Sequence, residues 1–136
     1  MNSGRINIIA GGIVLILAGL GGFALGFTMD AYFEKGFYAL PLARLLVKAG
    51  HTHGMPLSLY NILIGSLVDR LALPVTWKRA CSFAALGSFI MPVGLILRGM
   101  TDGSMTFAPV VLIGALCLFI SAAIMVKGAI ALKSAQ

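Results

Sequence analysis

Residues 103–126 read GSMTFAPVVLIGALCLFISAAIMV, an uncharged stretch of 24 residues between Asp102 and Lys127. Three similar stretches precede it. Arg5 and Asp30 bracket 24 uncharged residues, Lys48 and Asp69 bracket 20, and Arg79 and Arg98 bracket 18. About 20 apolar residues in a helix cross roughly 30 Å of hydrocarbon. A helix also satisfies its own backbone groups, as lipid requires. Four such runs nearly exhaust the 136 residues, of which 60% are hydrophobic and 10% charged, with a mean hydropathy of +1.02. Soluble domains carry about 25% charged residues. The sequence therefore predicts an all-α integral membrane protein with no soluble domain.

The pattern predicts helices over about residues 6–29, 53–73, 80–97 and 105–132, in one transmembrane domain spanning residues 1–136. Short connections favour an up-down four-helix bundle. The first run is too long for a signal peptide's apolar core of about 7–15 residues, so it reads as a retained span. Residues 30–50 read as a connector. Within it Phe37, Leu40, Leu45 and Leu46, with Arg44 and Lys48, suggest a short interfacial amphipathic helix. Pro56 fits the first turn of the second helix, Pro74 its end, and Pro92 a kink in the third. Gly22 and Gly26 form a GxxxG pair, which admits another backbone or a flat cofactor. Short helices with wide lateral faces predict a homo-oligomer, with a trimer favoured.

The net charge of +6 lies at the edges of the runs and suits contact with anionic membrane lipid. No basic stripe interleaved with aromatics supports nucleic-acid binding. Arg5, Arg70, Lys78, Arg79, Lys127 and Lys133 fall on one side, and Lys35, Arg44, Lys48 and Arg98 on the other. That six-to-four balance favours both termini in the cytoplasm, and the expected location is a bacterial plasma membrane, crossed several times. Cys81 and Cys117 sit inside apolar runs and read as buried free thiols. No hydrolase triad, phosphate loop or paired carboxylates occur.

The chemistry concentrates in Gly50-His51-Thr52-His53-Gly54-Met55-Pro56-Leu57-Ser58-Leu59-Tyr60-Asn61, which holds both histidines of the chain. Polar groups inside a membrane are costly and mark functional sites. Tyr60 and Asn61 lie seven and eight positions after His53, which aligns them along one helix face above Gly65. A neutral imidazole is a common ligand for haem iron and copper, so His53 and His51 are the metal-ligand candidates. The plainer alternative is a histidine pair that caps the helix or touches headgroups. Arg98 could pair with haem propionates or a substrate anion. Met29, Asp30, Met100, Asp102 and Met105 are expected on the same side of the membrane.

The string His53, Gly54, Pro56, Asn61, behind a glycine-rich first helix and a connector, resembles the styrene oxide isomerase family over roughly the first 75 residues. That resemblance implies a trimeric four-helix membrane protein binding haem b. Its ferric iron would act as a Lewis acid that opens a small apolar epoxide to an aldehyde. By position His53 or His51 would be the axial ligand, Asn61 would orient the oxygen and Tyr60 would assist. The third helix carries no tyrosine, where the family has one. Two other functions compete: a haem- or copper-binding subunit of a membrane redox complex, and a structural or assembly subunit.

Overall fold

The computed structural model describes residues 4–27 and 41–133. They form α1 (Arg5–Phe27), α2 (Leu42–Leu67), α3 (Val75–Gly87), α4 (Ile90–Met100) and α5 (Ala108–Lys133). Short 3₁₀ turns at Val68–Arg70 and Met105–Phe107 join α2 to α3 and α4 to α5. No strand occurs among the described residues. Because α3 and α4 act as one interrupted rod, the architecture is four-helical.

Three segments are long and apolar enough to cross a membrane: Arg5–Gly26, Val75–Met100 and Met105–Ala131. The fourth span expected from sequence, α2, matches them in length with 26 residues. Arg44, Lys48, His51, His53 and Asn61 keep its composition more polar. The outward faces of α1 and α5 are apolar, with Ile9, Ile13, Ile16, Leu20, Leu112, Leu116 and Phe119 all exposed. Only 6% of the most apolar window of α1 is buried. Water would not tolerate such a surface over whole helices, so this is the build of a membrane protein.

The second helix begins at Leu42, not at His53. Residues 42–50 continue directly into it, because nothing between Pro41 and Pro56 breaks a helix. Pro41, with φ −56° and ψ 143°, starts the helix, and Pro56 lies in its interior. The histidines therefore sit well inside the helix and not at its mouth. The other end also moves: α2 stops at Leu67, a 3₁₀ turn follows, and Pro74 initiates α3 by accepting from the Trp77 and Lys78 amides. The break between α3 and α4 falls at Ser88 and Phe89. Proline at position 92 cannot donate to the carbonyl four residues earlier and crowds it. The interruption accordingly sits at Ser88, whose carbonyl takes the Met91 amide instead.

Neighbouring rods bring their backbones into near contact. A methyl group added to Gly4 would strike the Gly65 backbone, and one on Gly11 would lie 2.7 Å from the Ser58 carbonyl. Gly50 and Gly99 play the same part between α2 and α4, facing Pro92 and Ala43 respectively. Gly114 of α5 presses on the Met91 backbone beside the helix break. Small residues at such crossings let van der Waals contact hold helices together where lipid supplies no hydrophobic drive. The apolar core, Ile64, Val68, Leu71, Cys81, Ala85 and Ile124, lies entirely at the end where α2 meets α3. At the opposite end, Asp102 (φ 49°) and Gly103 (φ 85°) take left-handed conformations to turn the chain, and Arg98 holds that turn by donating to the Ser104 and Gly103 carbonyls.

Candidate functional site

Each residue of a helix is rotated by about 100° from the one before, which sorts the polar residues of α2 onto separate faces. His51 points at α1. A methyl group on Gly22 would lie 2.7 Å from its Cε1 and 3.0 Å from its Nε2, so the ring occupies the place a larger side chain would fill. The Nδ1 atom of His51 is buried and has no hydrogen-bond partner among the described residues. One face of α2 brings Arg44, Lys48 and His51 together, at spacings of four and three residues. With Gly22, Leu25 and Gly26 of α1 they line a cleft of about 180 Å³. The Arg44 guanidinium reaches across it to donate to the Leu25 carbonyl at 3.5 Å. Among the described residues, nothing stands within 4 Å of the space above Gly26. The cleft thus has an imidazole, two cations and a glycine floor.

His53 lies about 200° around the helix from His51 and is exposed. Its Nδ1 donates to the Ala49 carbonyl at 2.7 Å, which leaves Nε2 as an outward lone pair. The two imidazoles face away from each other, so one ion cannot take both. Among the described residues, no three of His, Cys, Asp and Glu gather to hold a metal.

Asn61 is fully buried, about 15 Å along the axis from His51. Its amide donates to the Leu57 and Ala85 carbonyls, both at 3.0 Å, and its oxygen accepts from Asn7 Nδ2 at 2.9 Å. Asn7 also donates to the Ser82 carbonyl at 3.0 Å and accepts from the Ser82 hydroxyl. Three helices are pinned by this amide pair, and every polar atom of Asn61 has a partner in it. Tyr60 turns the other way and donates to Ser121 Oγ of α5 at 2.9 Å, and Ser121 in turn donates to the Cys81 carbonyl at 3.2 Å.

The residues expected to form one site are therefore divided. His53 and Tyr60, seven apart, share a side of α2, while Asn61 lies about 80° away and faces inward. A methyl group on Gly54 would lie 3.7 Å from Ala18 Cβ, and Gly22 and Gly26 do line the cleft. Arg98 is spent on its own turn and contacts Met105 Sδ at 3.2 Å. Met29 and Asp30 lie outside the described residues. The sequence reading missed Arg44 and Lys48 as site residues, although their spacing to His51 was a usable signal. It also missed Asn7, the lone amide in the first apolar run.

No family model, curated protein or solved structure matches this chain.

Proposed function

We propose that this protein binds haem b in the membrane, with the His51 imidazole as axial ligand. The observation that carries this reading is the buried, unpartnered ring nitrogen of His51 beside a glycine-floored cleft with two cations. A lone imidazole suffices for haem, because the porphyrin supplies the other four nitrogens. A copper site needs several protein ligands, and two opposed histidines do not provide them. Among the described residues Gly26 leaves open space beside the ring, and Leu25 an apolar wall. When bound, the iron would supply Lewis-acid or one-electron chemistry. The protein's own part is to hold the imidazole in place and exclude water from it. A second reading puts the iron on His53, whose tautomer the Ala49 carbonyl fixes in the manner usual for metal-ligating histidines.

The styrene oxide isomerase resemblance extends this to epoxide opening on a small apolar substrate. That step asks for an amide beside the iron, and Asn61 is remote from His51 and fully engaged. The isomerase reaction therefore rests on the resemblance alone, and turnover of an epoxide without reductant tests it. Around this site we infer an up-down bundle of four spans, with α2 held in the membrane by its neighbours. The inferred orientation has cytoplasmic termini, from Arg5, Arg70, Lys78, Arg79 and Lys127 at the end of the α2–α3 turn. Association of copies, a trimer by the resemblance, would cover the side of α1 where Gly12 and Gly19 have nothing within 4 Å among the described residues.

The deciding measurement is the visible spectrum of protein purified with haem supplied. We expect a Soret band that His51→Ala abolishes and His53→Ala keeps. The reverse pattern moves the iron to His53, and a band absent from the unaltered chain sinks the haem reading.

A further inference from the structure

The cleft of about 180 Å³ is smaller than the roughly 300 Å³ at which pockets begin to enclose a whole drug-sized ligand. It has room for a group, not for a molecule. The side chains that define it are Arg44, Lys48 and His51, spread over about 10 Å of one helix face from the start of α2 inward. Leu25 and two glycines close the far side. The guanidinium is already anchored to α1 through the Leu25 carbonyl, so one cation is held in position before any ligand arrives. Arg and Lys are the residues that grip carboxylate and phosphate, through charge-assisted hydrogen bonds. Apolar walls around a cationic end suit a molecule with an acid group on an apolar body.

We propose that Arg44 and Lys48 form a receiving site for the acid group, carboxylate or phosphate, of an amphiphile dissolved in the membrane. Two sources share that chemistry: the propionates of a porphyrin and the headgroup of an anionic lipid. For the porphyrin source the inference rests on the haem reading above; for the lipid source it does not. The site sits beside His51, so an acid-bearing porphyrin would be oriented with its propionate edge toward the start of α2.

The test uses the full chain in detergent and in bilayer discs, with binding compared in pairs within each protein so that general losses cancel. The porphyrin pairs are iron-free protoporphyrin IX against its dimethyl ester, and haem b against iron-free protoporphyrin IX. The bilayer pair is phosphatidylcholine with and without phosphatidylglycerol, read as a shift in melting temperature. We expect the free acid to bind about tenfold more tightly than the ester, the scale of one charged hydrogen bond. Arg44→Gln with Lys48→Gln should remove that preference, and Arg44→Lys with Lys48→Arg should restore most of it. His51→Ala should leave the acid preference intact while removing any advantage of haem over the iron-free ring. That split separates failure of the iron ligand from failure of the acid site. Stabilisation by phosphatidylglycerol that the double glutamine variant loses, without acid preference among porphyrins, assigns the site to lipid phosphate. Equal responses of the unaltered chain and the double glutamine variant to both the acid–ester and the bilayer pair overturn the inference.

Discussion

Asn61 shows how one residue's partners decide its role. From sequence it was the polar group most easily read as facing a ligand, and in the fold each of its amide atoms is bonded to protein. Interhelical hydrogen bonds in membranes average about 0.6 kcal/mol, with a maximum near 1.7. Asn61→Ala loses bonds to two other helices and takes one of the two acceptors from the Asn7 amide, so we expect destabilisation of about 2 kcal/mol. Reversible unfolding in mixed micelles would measure it, and the haem spectrum should not change. Gly22→Ala should do the opposite. Its methyl group would displace the His51 ring, with cofactor uptake falling severalfold while the unfolding midpoint moves little. At this scale the sequence singled out the histidines and Asn61. It could not assign direction, because the start of α2 sets the rotation of everything after it. Moving that start from His53 to Leu42 makes Pro56 an interior residue and takes the histidines away from the helix end.

The helices were legible because charge spacing alone brackets three of the four rods. Their junctions were less so. Pro92 announced an interruption, but the chain breaks at Ser88, where the lost carbonyl partner lies. The glycines divide into two groups that sequence could not distinguish. Gly4, Gly65 and Gly114 face backbone of a neighbouring rod, whereas Gly12 and Gly19 face nothing within 4 Å among the described residues. Gly114→Ala should therefore separate α5 from the α3–α4 break and cost more than 2 kcal/mol, by the overpacking that rigid neighbours impose. Gly12→Ala in the monomer should instead stabilise by up to about 1 kcal/mol, through helix propensity. If copies pack on that side of α1, the same change weakens their association, which crosslinking in bilayers would report.

For the whole molecule, the cations define polarity. Arg5, Arg70, Lys78, Arg79 and Lys127 crowd one end, and Lys127 stacks on the Trp77 ring at 3.8 Å, as interfacial pairs do. In a chain whose cysteines are replaced by alanine, Thr101→Cys should react with an impermeant thiol reagent added outside the cell. Thr76→Cys should react only after the membrane is opened. The inverse result reverses the orientation.

The burial of α1 is unequal along its length. Gly4, Asn7 and Gly11 are buried, and no residue from 12 to 26 is. One half is fastened by amide bonds, and the other rests on α2 through Ala18, Gly22 and the Arg44 guanidinium on the Leu25 carbonyl, so the helix is built like the arm of a pair of tweezers with its tip clasped. Parting its second half from α2 would release the Arg44 bond to the Leu25 carbonyl and otherwise exchange apolar protein contacts for apolar acyl chains, with little net hydrophobic cost. The width of the gap over His51 would then follow the lateral pressure and chain length of the surrounding lipid, so that bilayer thickness becomes a control on entry.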